Sequence, residues 1–290
     1  MTSIPDNLLE QLESDLDTRF ANTRRVSGGS INQAARLESE ELGSCFLKWN
    51  RSDDSDMFVK EVRGLELLGA GGTELVIPEV YDHGVLDDST GYLLMEFIEE
   101  GSAGKDSDRH FGQQLARLHQ NRAEQHGLDH DNYIGRLPQS NTQHDNWVDF
   151  FVQERIEYQF SIARERGRLP SSLHQNFQNM YRRLPDIMPE EPPSLLHGDL
   201  WGGNYSYDIN GTAAIYDPAV YYGSREMELA FTHMFGGFSS DFYRGYESEW
   251  PLEDGFQDRI QLYNLYHLMT HNNMFGGHYG RQVERIVQRF

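Results

Sequence analysis

The stretch LLHGDLWGGNYSYD, residues 195–208, decides how the rest of the chain is read. An apolar run ends at His197, and the polar segment after it holds Asp199, Trp201, three glycines and Asn204. A carboxylate followed five positions later by a carboxamide, on a loop after a buried strand, matches the catalytic-loop logic of phosphoryl transfer. In that logic the Asp orients the attacking hydroxyl or accepts its proton, and the Asn ligates Mg²⁺. The spacing lets the loop double back, so both side chains face one cavity. Beyond a short hairpin, AAIYDPAVYYG places Asp217 at the end of an apolar strand, where a second acid would bridge Mg²⁺ to the phosphates. Either segment alone reads as an ordinary turn. Together, with the hairpin between them, they read as a kinase-type site.

The N-terminal third tests that reading independently. A kinase-like site needs a strand lysine for the α- and β-phosphates and a helix glutamate to hold it. Lys48 lies in the third expected strand, CFLKWN, and Glu61 on the helical segment MFVKEVRGLELL that follows. Lys60 neighbours Glu61, but adjacent residues on a helix point apart, so Lys60 is expected in solvent. VSGGSIN sits between two expected strands, where the N–H groups and hydroxyls of Ser27, Gly28, Gly29 and Ser30 would cover phosphates. It is not G-x-G-x-x-G, and a plain hairpin turn competes with that role. Glu96, Phe97 and Ile98 end the last strand of the small sheet, with the backbone of Glu96 and Ile98 placed to pair with an adenine edge.

Composition sets the bounds. A chain of 290 residues, 38% hydrophobic and 12% aromatic, can bury a sizeable core and sits at the size where two lobes begin to form. The net charge of −21 disfavours nucleic-acid binding and suits cationic or amine-bearing partners, although plain solubility explains it as well. Cys45 is the only cysteine, so no intrachain disulfide forms, which fits a reducing compartment. The first 20 residues read as an acidic amphipathic helix rather than a signal peptide. No apolar run approaches the ~20 residues of a membrane span. The expected location is the cytoplasm.

Along the chain, the order helix, hairpin, strand, helix, hairpin gives a small sheet with one helix inserted. A polar link near residues 97–104 follows, and the remainder is mainly helical. WVDFFVQERIEYQFSIARERG reads as one of three amphipathic helices before the catalytic loop. The expected fold is α+β and protein-kinase-like, with a β-rich nucleotide-binding lobe over residues 1–98 and a larger helical catalytic and substrate-binding lobe over residues 99–290.

With these residues in hand, the chain resembles the fructosamine-3-kinase, or ketosamine kinase, family, relatives of aminoglycoside phosphotransferases and choline kinases. HGDLWGGN is the specific part, because the D-L-W-x-G-N form separates this family from other H-x-D-x-x-x-x-N phosphotransferases. DPAVYYGSREMELAF, YIGRLPQSNTQHDNWVDFFVQERIEYQ and LYNLYHLMTHNNMFGGHY support it across nearly the whole chain. The resemblance implies ATP- and Mg²⁺-dependent phosphorylation of the sugar 3-hydroxyl of ketoamines, glycation adducts on small amines or on protein lysines. The phosphorylated adduct sheds its sugar, which deglycates the amine. By match, Asp199 is the base, Asn204 and Asp217 are the Mg²⁺ ligands, and Lys48 holds the phosphates with Glu61 orienting it. Trp201 would offer a flat face to the sugar or its amine-bearing chain. One departure is visible: some members carry a glycine-loop cysteine that permits redox-sensitive dimerisation, whereas this chain reads Gly29-Ser30-Ile31.

Other readings stay open at this point: an aminoglycoside- or choline-type phosphotransferase, a nucleotide-binding pseudokinase, and a metal-dependent hydrolase built on His197 and Asp199. The pseudokinase predicts loss of one of Lys48, Asp199, Asn204 or Asp217, and none is lost. His267 and His271 have i, i+4 spacing but lack the Glu of H-E-x-x-H, and packing is the expected role. His119 is expected to brace the catalytic loop, and Glu226 and Glu228 to cap or anchor a helix. The preferred sugar, free against protein-bound amine, and monomer against homodimer are not written in the sequence.

Overall fold

Alternation along one strand organises the N-terminal part of the chain. In β3 (Gly43–Arg51), Cys45, Leu47 and Trp49 are buried against Leu8 and Leu12 of α1 (Asp6–Asp15), with Ala35 and Leu37 of β2 (Gln33–Ser39) and Tyr92 and Leu94 of β5 (Thr90–Glu96). Successive strand residues face opposite sides, so Phe46 and Lys48 must take the other face. There Phe46 joins Leu93 and Met95 of β5 and Phe58, Val62 and Leu65 of α2 (Met57–Gly69). Lys48 is thus a buried cation on the face that α2 covers. With β1 (Phe20–Arg25) and β4 (Val80–Val85), the sheet runs β1-β2-β3-β5-β4, every neighbour antiparallel. The computed structural model describes residues 4–26, 32–51, 56–86, 89–235 and 237–290.

The rest is mainly helical around a second, larger apolar core. It contains α3 (Ser107–His119), the hairpin β6 (Asn132–Ile134) and β7 (Leu137–Gln139), α4 (Trp147–Phe150), α5 (Tyr158–Glu165) and α6 (His174–Ile187). Then come β8 (Ser194–Leu196), β9 (Tyr205–Tyr207), β10 (Ala213–Ile215) and β11 (Tyr221–Gly223). Five helices close the chain: α7 (Arg225–Thr232), α8 (Ser240–Glu249), α9 (Phe256–Tyr263), α10 (Leu265–Phe275) and α11 (His278–Val287). β9 pairs with β10 and β8 with β11, so the loop over residues 197–204 is pinned by one strand pair at each end. Bridges between Val76 and Ala214 and between Glu100 and Asp208 tie the sheet-bearing part to the hairpin below it. The architecture is α+β and two-lobed. Among the described residues, no helix is long and apolar enough to cross a membrane.

The long helix expected after Trp147 is interrupted. Residues Phe151–Glu157 form a π-helical segment between α4 and α5. It carries Arg155, fully buried, with its guanidinium 4.5 Å over the Phe150 ring and 4.0 Å over Tyr221. Arg155 donates to Ser140 O at 2.5 Å and to Asn141 Oδ1 at 2.9 Å. A buried charge needs such partners, and the widened turn gives the side chain room to reach them.

Candidate active site

At Leu196 β8 leaves the core, and the chain turns at Gly198 with φ +83°. A Cβ there would sit 2.0 Å from Ala219 O, so only glycine fits. Glu228, one turn into α7, accepts the N–H groups of His197 at 3.1 Å and Gly198 at 2.7 Å. Its carboxylate also bonds His119 Nε2 at 2.8 Å, and His119 Nδ1 meets the Tyr246 hydroxyl at 2.8 Å. Burial works against the Glu228 charge, but the His119 bond and the loop N–H groups outweigh it and hold the carboxyl below its usual range.

His197 braces the loop through both ring nitrogens. Its Nε2 donates to Tyr216 O at 3.0 Å, which leaves Nδ1 to accept the Asp199 N–H at 3.3 Å. Burial keeps this imidazole below its usual pKa against the pull of Glu228. A neutral ring therefore clips the Asp199 loop to the segment that carries Asp217. Asn204 Nδ2 donates to Asp199 O at 2.8 Å and to Asp199 Oδ2 at 3.0 Å, doubling the loop back and leaving Asn204 Oδ1, among the described residues, as a spare acceptor. Asp199 keeps one edge open to the cleft while its surroundings desolvate it. That desolvation pushes its carboxyl well above the usual range, the Asn204 bond opposes the shift, and the charges of Asp217 and Glu228 add to it.

Asp217 has φ +58° immediately before Pro218, a left-handed conformation that costs a non-glycine residue energy. Its Oδ1 lies 2.5 Å from Lys48 Nζ, and the same ammonium pairs with Glu61. Burial disfavours the ammonium, but Asp217 and then Glu61 more than offset it and raise the Lys48 pKa. Burial raises Glu61 against the opposing pull of Lys48.

The sequence candidates meet. Lys48, Glu61, Asp199, Trp201, Asn204 and Asp217 line one cleft of about 190 Å³. Glu96, Phe97 and Ile98 line an adjoining slot of about 310 Å³ whose other walls include Val26, Met95 and Tyr216. Phe46 and Asp217 border both. Ser27, Gly28, Gly29 and Ser30 lie outside the described residues. Lys60 corrects an expectation: rather than standing free in solvent, it pairs with Asp56 at 2.8 Å, lies 4.9 Å over the Tyr133 ring and lines the cleft. His267 stacks on Phe231 at 3.6 Å, and His271 Nδ1 bonds His267 O at 2.7 Å, so both rings are engaged in packing. Glu226 anchors α7 through Arg259.

A family model described as fructosamine kinase matches residues 2–290. The chain belongs to the fructosamine kinase family. A protein named "Probable ketoamine kinase" from Synechocystis sp. is 42% identical over 275 residues, covering 93% of this chain and 90% of that one. "Protein-ribulosamine 3-kinase, chloroplastic" from Arabidopsis thaliana is 34% identical over 278 residues, covering 94% of this chain and 83% of that one. Among solved structures, a provisionally named fructosamine-3-kinase from Thermobifida fusca superposes with a TM-score of 0.86 at 28% identity, covering 99% of this chain and 100% of that one. Aminoglycoside phosphotransferase APH(4)-Ia aligns with a TM-score of 0.63 at 16% identity, covering 99% of this chain and 98% of that one. At that identity it shares the protein-kinase-like fold alone.

Within this family frame, Glu228 has a role other than the expected one, and Asn132 and Tyr133 had been given none. Glu228 was expected only to cap or anchor its helix, yet it holds the catalytic loop from a distant helix, and no local pattern announces that. Asn132, immediately before the motif YIGRLPQSN, lines the cleft, donates to Val220 O at 2.8 Å and accepts from Gln139 and Asn141. Its neighbour Tyr133 bonds Asp56 Oδ1 at 2.7 Å across the cleft mouth.

Proposed function

We propose that this chain, an ATP-dependent kinase of the fructosamine kinase family, phosphorylates the 3-hydroxyl of the sugar in a ketoamine and so initiates deglycation of the amine. The convergence of Lys48, Asp199, Asn204 and Asp217 on one cleft carries the reading. Asp199 accepts a hydrogen bond from the sugar hydroxyl and takes its proton as the new O–P bond forms and ADP departs. Lys48, held by Glu61, receives the α- and β-phosphates. The donor chemistry of Asp217 and the spare Asn204 Oδ1 fits Mg²⁺, a hard cation that takes oxygen ligands and completes its shell with phosphates and water. Bound there, Mg²⁺ neutralises charge on the phosphates. Trp201, 39% exposed beside the base, gives the substrate a flat wall.

In the adjoining slot, the Glu96 N–H is committed to Glu79 O at 2.8 Å and the Phe97 N–H to Ser44 O at 3.0 Å. We therefore assign the Glu96 carbonyl and the Ile98 N–H to the adenine edge, with the Phe97 backbone between them. Residues 1–98 form the nucleotide-binding lobe and residues 99–290 the catalytic and substrate-binding lobe. The single cysteine, Cys45, is buried, which suits a reducing, cytoplasmic setting. Monomer and homodimer both satisfy this reading.

The test is ADP release from Mg-ATP with ribulosyl-lysine, fructosyl-lysine, kanamycin and choline offered separately. Turnover on the ketoamines alone is the expected result. Turnover on kanamycin or choline alone would overturn the assignment.

A further inference from the structure

Among the described residues, five large apolar side chains stand exposed: Val85, Trp201, Ile209, Phe235 and Phe275. Scattered exposure of this kind is normal, and a contiguous apolar patch is not. Three of the five belong to one continuous run of rings. Trp201 meets Phe235 edge-on with centroids 6.0 Å apart, and Phe235 lies 4.9 Å from His271. His271 then contacts Phe275 at 5.8 Å and Tyr279 at 5.2 Å. The run starts on the wall of the reaction cleft and passes over the end of α7 to the junction of α10 and α11.

The inner ring is fixed in place. A Cβ on Gly203 would come within 2.4 Å of the Trp201 ring, so the glycine is what allows the indole to lie against the catalytic loop. Phe235 is backed in turn by Phe231 at 5.9 Å. His271 Nδ1 donates to the His267 carbonyl, and burial holds the ring below its usual pKa, so it joins the run as a neutral face.

Accepting the ketoamine kinase reading, we propose that Trp201 and Phe235 receive the amine-bearing side chain of the substrate, and that Phe275 and Tyr279 receive an apolar or aromatic residue next to a glycated lysine in a peptide. Reach argues for a peptide. An extended lysine side chain spans only ~6 Å from its amine to Cα, about the distance from Trp201 to Phe235, so the rings beyond Phe235 lie past a free amino acid's side chain. Charge agrees, since a chain of net charge −21 attracts lysine-bearing segments. Continuity with the cleft wall explains why the rings run outward from the base rather than lying elsewhere on the surface.

The test compares KM and kcat for Nε-ribulosyl-lysine with those for short capped peptides carrying the same modified lysine beside Phe, Gly or Glu. The Phe-flanked peptide should show a KM about tenfold below the Gly-flanked one at similar kcat, the scale of one added aromatic contact. Phe275→Ala should bring that ratio close to one, Phe275→Tyr should retain it, and Phe235→Ala should raise KM for every ketoamine. Gly203→Ala, which displaces the indole without removing a ring, should raise KM in the same way. Equal KM values for all peptides with the native chain would overturn the proposal. So would a Phe275→Ala chain that changes from dimer to monomer in sedimentation while keeping its peptide preference. If no ketoamine is turned over, the proposed function fails instead. Turnover of all of them without discrimination sinks only this surface.

Discussion

Asp199 is surrounded by groups whose removal should separate chemistry from binding. Replacing it with Asn keeps the size and the Asn204 contact but removes the proton acceptor. Turnover of Asp199→Asn should fall by roughly 10²–10⁴-fold while nucleotide affinity, read by calorimetry, stays within a few fold. Comparable activity in that variant would remove Asp199 from the chemistry. Glu228 offers a different test at the same scale, since it touches neither cleft nor substrate. In Glu228→Gln one carboxylate oxygen becomes an amide NH2 group, which sets donor against donor at the loop N–H groups or at His119. A mispaired buried group of this kind costs on the order of 1–3 kcal/mol, visible as an earlier urea midpoint. Because the loop it holds carries the base, kcat should fall with KM little changed. A stable variant with native kcat would show that the loop holds itself.

The elements divide into those that announce themselves and those that do not. Lys48 was legible because β3 alternates: Leu47 and Trp49 commit to the α1 side, so the lysine between them faces α2 and Glu61. The Asp199–Asn204 loop was legible from residue type and spacing. The π segment was not, because its cause is a long-range demand, the burial of Arg155 among Phe150, Tyr221 and Tyr266. β6, β7 and β11 are three residues each, too short for periodicity to declare them. The role of Glu228 was hidden for a similar reason, since its partners sit on other elements. At the turn out of β8, Gly198→Ala combines φ +83° with a Cβ 2.0 Å from Ala219 O. That change should both destabilise the fold and displace Asp199, lowering kcat and the thermal midpoint together. A folded, fully active Gly198→Ala would show that β8 and β11 yield more readily than their pairing suggests.

For the molecule as a whole, buried histidines set a pH window. Burial, with His144 adding, lowers the His126 pKa from 6.5 to about 4, and its ring packs against Trp147 and Phe150. Between those values the unfolded chain binds a proton that the folded chain refuses. Stability from this group is therefore full above about pH 6.5 and is lost as pH falls toward 4, on the order of 3 kcal/mol in all. His126→Gln should accordingly narrow the gap between urea midpoints measured at about pH 7.5 and about pH 5. An unchanged gap would mean the ring is solvated. Above this stability background stands the activity itself, and the most direct measurement is the phosphorus-31 spectrum of the product formed from Mg-ATP and ribulosyl-lysine. The account predicts a phosphate monoester coupled to the proton on sugar carbon 3, followed by release of free lysine. A phosphate on any other hydroxyl, or ADP formed with no sugar phosphate, would contradict it.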